Sequence, residues 1–279
     1  MVIIAESGAT KTDWRSISDD GTVCALQTRG INPVTMGNEL IREILSQAIP
    51  FLNPKGKTVR KVFFYGAGLV SHSASCEIAA TLDIWCPFAE IECHSDLEAA
   101  AKSLFGDGKG VAAIIGTGSN SCLCEGGAVV RNIRPGGFIL GDEGSGAALG
   151  KMFVSDYVKD LVPAQMKQAF DNAFGLDYSG IVSKVYKSDA PSGFLAEVGR
   201  FVFENSGNDY ASGLLEANFR NFIERSLVRY ECDEVGVVGS FGHACRDILE
   251  KLGKEYGLRF MKFVKAPIDE LVNYHCNVI

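Results

Sequence analysis

Val111-Ala112-Ala113-Ile114-Ile115-Gly116-Thr117-Gly118-Ser119-Asn120 runs from an apolar, partly β-branched stretch straight into a turn of glycine and hydroxylated residues. The stretch reads as a buried strand. The turn offers backbone N–H groups with no bulky side chain in the way, which is what an anion such as phosphate needs. A counterpart opens the chain, where Val2-Ile3-Ile4-Ala5 leads into Glu6-Ser7-Gly8-Ala9-Thr10-Lys11-Thr12-Asp13. Each turn is followed by another short strand and a second turn, Asp19-Asp20-Gly21 in the first half and Glu125-Gly126-Gly127 in the second. The halves read as copies, and two facing copies would clamp a polyphosphate.

Outward from these turns, residues 2–28 read as three short strands, and a Gly/Pro loop over 29–37 leads to a helix capped by Asn38 that stops at Pro50. Val62-Phe63-Phe64-Tyr65 is an apolar strand entering Gly66-Ala67-Gly68, and a helical pattern follows from about Ser73 to Leu82. Ile91-Glu92-Cys93-His94 is a further strand, after which Ser95 or Asp96 starts a helix through Leu97, Ala100, Ala101 and Leu104. The second half repeats three strands near 111–116, 121–124 and 128–133, then a glycine-rich loop over 134–146. Helical patterns recur at 147–161, 193–205 and 209–229. The strands at Val235-Gly236-Val237-Val238 and Arg259–Val264, each followed by a helix, close the pattern. The expected fold is α/β, two domains of duplicated βββαβαβα topology around an interdomain cleft. The expected boundaries are 1–107 and 108–279, with a helical insertion at about 150–230.

Composition bounds the function. The 279 residues are 47% apolar and carry a formal charge of -7, with a pI near 5.2. That balance disfavours a general nucleic-acid role, which rests on clustered Lys and Arg. The apolar runs are strand-length and Met1 leads directly into a strand, so a soluble, cytoplasmic protein is expected. Nine scattered cysteines without a C-x-x-C pair argue against a disulfide framework or zinc site. The four histidines show no metal-ligand spacing and read as surface or structural residues.

No G-x-x-x-x-G-K-[ST] is present and no strand enters G-x-G-x-x-G, so the P-loop and Rossmann readings lose their support. The paired hairpin turns remain as the phosphate solution. Asp96 stands at a strand end where a helix begins, which suits a general base for an attacking hydroxyl and equally suits a helix N-cap. Gly141-Asp142-Glu143-Gly144 places two carboxylates at a helix start, where they would accept from sugar hydroxyls or complement the helix dipole. Asn32 can address a polyol or amide, or simply stabilise its turn. Glu6 can hold a hydrated magnesium ion, which needs few protein carboxylates. Lys11 either neutralises phosphate or is solvated.

These motifs resemble the BadF/BadG/BcrA/BcrD-type ATPase family and, within it, the N-acetylglucosamine kinases of the actin/hexokinase superfamily, over nearly the whole chain. The resemblance implies two actin-like, ribonuclease H-like domains, ATP and Mg2+ as cofactors, and a small-molecule amino sugar as partner. It implies phosphorylation of the 6-hydroxyl of N-acetylglucosamine or a related N-acetylhexosamine such as N-acetylmuramic acid, or of glucosamine. Asp96 would activate that hydroxyl, and Asn32, Thr117, Gly137 and Asp142, with Glu143 beside it, would hold the sugar. Gly8, Thr10, Lys11 and Thr12 match the first phosphate loop, Gly116, Gly118 and Ser119 the second, and Gly239 and Ser240 the adenosine loop. Glu6 takes the metal position. The first loop departs from the family's D-G-G-G-T-K-T at Glu6, Ser7 and Ala9, the latter two adding bulk near phosphate. Phe138 stands where the animal enzymes carry Trp, in a shorter sugar loop, which points to a shifted acceptor. No nucleic acid or membrane partner is expected, and a homodimer is left open. Two rivals share the fold: an activator ATPase of an iron–sulfur dehydratase, and a non-catalytic sugar- or nucleotide-sensing protein.

Overall fold

The computed structural model describes residues 1–276 apart from Ala9 and Val70, and the side chain of Cys276 also lies outside the described residues. The chain divides into two compact units: Met1–Gly108 with Gly126–Ala128 and the segment from Ala266, and Lys109–Glu125 with Val129–Lys265.

In the first unit the order is β1 (Val2–Ser7), β2 (Lys11–Ile17), β3 (Val23–Arg29), α1 (Asn38–Leu52), β4 (Lys61–Gly66), α2 (His72–Asp83), β5 (Glu90–Ser95) and α3 (Asp96–Phe105). The sheet order is β3-β2-β1-β4-β5, with β1, β2 and β3 antiparallel neighbours and β1, β4 and β5 parallel. Side chains alternate across a strand. Ile3 and Ala5 therefore join Trp14, Val62 and Phe64 in one core with Ile41, Leu45 and Leu82, whereas Val2 and Ile4 join Phe63 and Tyr65 against Ala99 of α3. Burying each large apolar side chain contributes roughly 1.5–3 kcal/mol, so this two-sided burial suits β1 to the centre of the sheet. Helix α1 differs from its expected ends. Asn38 is its first residue rather than its cap and donates its amide to Glu77 at 2.6 Å, and Pro50 lies inside the last turn. A proline removes one intrahelical N–H, and two further residues complete the helix before the Asn53 N–H bonds to Ile49.

The second unit runs β6 (Lys109–Ile115), β7 (Ser119–Glu125), β8 (Ala128–Ile133), α4 (Gly137–Leu140), α5 (Gly146–Tyr157), α6 (Ala164–Phe174), α7 (Tyr178–Tyr186), α8 (Pro191–Glu204), α9 (Asp209–Arg225), β9 (Glu234–Val238), α10 (Ser240–Ala244), α11 (Arg246–Glu255) and β10 (Arg259–Val264). Its sheet order, β10-β9-β6-β7-β8, is the first sheet's order read from the other edge. The topology is duplicated, and α5 to α9 form the helical insertion, whose aromatic core includes Phe153, Phe170, Phe201, Phe219 and Phe222.

One element differs from the expected division. The closing helix α12 (Ile268–Cys276) belongs to the first unit, where Ile268 and Leu271 bury against Val2, Ile4 and Phe63. Phe63 also stacks on His275, with ring centroids 3.6 Å apart. Among the described residues no helix is long and apolar enough to cross a membrane.

Candidate active site

Ser7, Gly66 and Ser95 lie in register at the C-terminal ends of β1, β4 and β5. In open α/β sheets this end is where helix N-termini and ligand-binding loops gather. Here it brings together Glu6, the 66–68 turn and Asp96. The sequence leaves the cap of α3 open between Ser95 and Asp96, and the structure gives it to Ser95. The Ser95 hydroxyl accepts the Glu98 N–H at 3.3 Å, and the Glu98 carboxylate accepts the Ser95 N–H at 2.9 Å, a complete capping box. Asp96 is thereby the first helical residue, with its carboxyl released from capping. Burial pushes that carboxyl up to about 6, partly countered by the N–H groups of Leu97 and of Asp96 itself. This range suits a general base near neutral pH.

Glu6, at the end of β1, is pushed up to about 7, first by burial, then by the charge of Asp13, with Asp96 adding to it and Lys11 opposing it. Asp13 is itself held by the Lys11 ammonium and by Gln27, whose amide donates at 2.7 Å. The Lys11 charge is therefore engaged within the protein. The Thr12 hydroxyl is also turned inward, 2.7 Å from that of Ser7. The Gly8 N–H closes the turn on the Lys11 carbonyl, and the exposed Thr10 accepts the Gly30 N–H on its carbonyl. Ser7 departs from expectation most clearly. Its fully buried hydroxyl binds both backbone groups of Ile31, at 2.8 and 2.9 Å, so its bulk is taken up inside the unit. Ala9 lies outside the described residues. Asn32, next to Ile31, accepts the Val34 N–H in a side-chain turn, and a Cβ on Gly68 would sit 2.2 Å from its Oδ1. Asn32 is thus fixed between two glycine-bearing loops.

Oxygen donors with raised proton affinity and like-charged neighbours are the chemistry a hard divalent cation favours. Glu6, crowded by Asp13 and Asp96, fits Mg2+ in this sense. No group of three or more His, Cys, Asp or Glu among the described residues forms a protein-only metal cage. Magnesium does not need one, because it keeps waters and binds phosphate oxygens.

In the second unit the turn between β6 and β7 is closed by the Gly116 N–H on the Gly118 carbonyl at 2.9 Å. Asp142 is buried against it. A Cβ on Gly118 would meet Asp142 Oδ2 at 3.0 Å, and the carboxylate is bonded by the backbone N–H groups of Gly137 and Ser119. Burial, then the neighbouring Glu143 charge, pushes the Asp142 carboxyl up to about 6. Asp142 also holds φ 57°, a left-handed conformation that costs a non-glycine residue and concentrates at functional sites. Glu143 differs in kind, because its carboxylate pairs with Arg225 at 2.9 Å while its carbonyl takes the Ser119 hydroxyl at 2.7 Å. The N–H groups of Gly146 and Ala147 bond to the carbonyls of Gly116 and Thr117, tying the start of α5 to the turn. Gly239 follows β9 with φ 121°, and a Cβ there would lie 2.3 Å from the Ile115 carbonyl oxygen. The unit thus gathers Gly116–Ser119, Gly137, Asp142 and Gly239–Ser240 at one end of its sheet.

Sequence reasoning passed over four contributors. Asp13 and Gln27 meet across the β2–β3 pair, and the capping-box spacing Ser95-x-x-Glu98 was the signal that would have placed Asp96. Lys151 holds the Phe138 carbonyl at 2.8 Å and buried Asn218 binds Gly144 N–H and the Ser145 carbonyl, both through partners remote in sequence. The cysteines Cys122, Cys124 and Cys245 are buried in the core.

The fold and these two gatherings define a class, and comparison with known proteins agrees. No family model matches the chain, and a search of curated proteins finds no match. Among solved structures, a candidate N-acetylglucosamine kinase from Porphyromonas gingivalis is 35% identical with a TM-score of 0.93, covering 99% of each chain. A second candidate N-acetylglucosamine kinase, from Chromobacterium violaceum, is 18% identical with a TM-score of 0.78, covering 98% of each chain. A ROK-family glucokinase from Streptomyces griseus, solved with glucose and AMPPNP, shares the fold at 15% identity, TM-score 0.55 and 98% coverage of each chain. The chain belongs to the sugar kinases of the actin/hexokinase superfamily.

Proposed function

We propose that the chain is an ATP-dependent amino-sugar kinase that phosphorylates the 6-hydroxyl of N-acetylglucosamine or a related N-acetylhexosamine. The observation that carries this reading is Asp96: a half-buried carboxylate released from capping by Ser95, raised to about 6, and placed beside Glu6. The 35% identity to the Porphyromonas gingivalis protein supports the amino-sugar class.

In this reading Asp96 accepts the proton of the sugar hydroxyl as its oxygen bonds to the γ-phosphorus and the bond to the β-phosphate oxygen breaks, yielding ADP and the sugar phosphate. Asn32, Thr117, Gly137 and Asp142 orient the sugar, and Asp142, backed by Gly118, presents an acceptor to a sugar hydroxyl. Gly116, Gly118 and Ser119 face the nucleotide phosphates, Gly239 and Ser240 the nucleoside, and Gly8 and Thr10 belong to the first phosphate turn. Glu6 holds Mg2+, which when bound neutralises phosphate charge. Lys11 supports this arrangement through Asp13, and Glu143 through its pair with Arg225.

Coupled ADP release with glucosamine, N-acetylglucosamine, N-acetylmannosamine, N-acetylmuramic acid and no sugar tests the reading. The expected result is sugar-dependent ADP formation greatest with an N-acetylated hexosamine. Sugar-independent turnover, or none with any sugar, would reject it.

A further inference from the structure

We infer that His94 is a positioning residue that sets Asp96 through Glu98 and the first turn of α3. The inference rests on the assignment of Asp96 as the base.

His94 is the penultimate residue of β5, two before Asp96. Its Nε2 lies 3.1 Å from a Glu92 carboxylate oxygen and its Nδ1 lies 3.0 Å from one of Glu98. A carboxylate only accepts, so the Nδ1 that meets Glu98 donates its N–H to it. Both carboxyls are held in the ionised form. Burial acts against it at Glu98, but hydrogen bonds from His94 and from the Ser95 backbone outweigh it and bring that carboxyl down to about 2. At Glu92 burial is likewise outweighed, by Lys61 and His94.

The charged and titratable groups facing His94 come from three directions. Glu92 shares its strand, with Lys61 of β4 on that carboxylate at 2.6 Å. Tyr65 of β4 stacks on the ring at 5.0 Å and bonds to His275 of α12 at 2.8 Å and to Lys102 of α3 at 3.1 Å. Glu98 stands on α3. His275 is pushed down to about 4, mainly by burial and then by Lys102, so it faces His94 as a neutral ring. The ring that bridges both carboxylates is His94 itself.

The route to Asp96 is short. One Glu98 oxygen takes His94, and the other takes the Ser95 N–H at 2.9 Å and the Ser95 hydroxyl at 3.0 Å. That second oxygen is half of the capping box, and Asp96 is the residue immediately after the cap. Losing the His94 donor frees Glu98 to rotate, loosens the cap, and lets the Asp96 carboxylate move without removing any group that touches the sugar or nucleotide. A displacement of the order of 1 Å in a reacting group costs up to about a hundredfold in rate.

The experiment combines kinetics with two readings independent of activity. In His94→Gln and in His94→Phe, which keeps a ring against Tyr65, kcat should fall about tenfold or more while the KM values for sugar and nucleotide stay within about twofold. Glu98→Gln should give a similar loss, and the double variant His94→Gln/Glu98→Gln little more than either alone. In 15N-labelled wild-type protein the His94 Nδ1 should resonate as a hydrogen-bonded N–H, and the Asp96 carboxyl carbon resonance should move in His94→Gln. A bare Nδ1, an unmoved Asp96 resonance, additive losses, or an unchanged kcat would each overturn the inference. If wild type forms no ADP with any sugar, the kinase reading fails, and the two resonances still decide whether His94 sets Asp96.

Discussion

The Ser7 hydroxyl closes both backbone groups of Ile31, taking its N–H at 2.8 Å and giving its own proton toward the carbonyl at 2.9 Å, in a fully buried position. Ile31 precedes Asn32, so the end of β1 and the proposed sugar-contacting loop are fastened at one atom. Ser7→Ala leaves the buried Ile31 N–H without its partner, which costs about 1–3 kcal/mol. Denaturant unfolding should show that loss, and the KM for sugar should rise severalfold with a smaller change for nucleotide. A KM for sugar unaltered in a measurably destabilised variant would separate Ser7 from the placement of Asn32.

Glu6 ties stability to pH with a definite sign. Its carboxyl ionises near 4.5 in the unfolded chain and near 7 in the folded protein, so between those values the folded state alone retains the proton. Stability therefore falls as pH rises across that interval, and the full penalty is present above about 7. Glu6→Gln cannot ionise. It should be more stable than wild type at pH 8 by about 3 kcal/mol, with the advantage shrinking toward pH 5. Added Mg2+ should stabilise wild type more at pH 8 than at pH 5.5 and do little for Glu6→Gln, which paired thermal melts would resolve.

What was legible in the sequence was whatever is encoded locally. Val2–Ala5, Val62–Tyr65, Val111–Ile115 and Val235–Val238 are apolar runs entering glycine or small-residue turns, and all became strands of the duplicated topology. Helices α6 and α7 were not separately legible, because each buries few residues, Met166 and Phe170 in one and Ile181 in the other. The home of α12 depended on Val2, Ile4 and Phe63, far away in the chain. At the site, the identity of Asp96 as a candidate was readable from its strand-end position, whereas its release from capping was a property of Ser95 and Glu98. The inward turn of Ser7 and Thr12 and the engagement of Lys11 by Asp13 arise from the β1–β2–β3 pairing and from the Ile31 backbone, neither of which a turn motif specifies.

Gly239 supplies a steric prediction with an internal control. Its φ is 121°, and only 2.3 Å would separate a Cβ at this position from the Ile115 oxygen, so Gly239→Ala must distort the junction of β9 and α10 or push β6 at the phosphate turn. A loss of roughly 1–3 kcal/mol is expected, with a raised KM for nucleotide. Gly213, exposed within α9 with open space around its α-carbon, has no such constraint. Gly213→Ala should stabilise by about 0.4–1 kcal/mol and leave both KM values alone. Equal behaviour of the two variants would remove the case for a tight nucleoside loop.

Asp96 and Glu6 are electrostatically coupled, and the coupling makes the base assignment testable in two independent ways. Asp96 must be ionised to accept a proton, and its carboxyl sits near 6, so kcat should rise with pH through about 6 and level off above it, measured at saturating Mg2+ to suppress the titration of Glu6. Asp96→Asn should lose about 10²–10⁴ in kcat with sugar and nucleotide binding retained, the span expected for deleting a general base. The same substitution removes one of the charges that raise Glu6, so the Glu6 carboxyl should come down by a small amount, with burial and Asp13 still holding it above its ordinary value. The kinetic effect alone would follow from any damage near the reacting centre. A downward shift of Glu6, read from its own carboxyl carbon resonance, would not, because it requires that the Asp96 charge be felt at Glu6 in the folded protein.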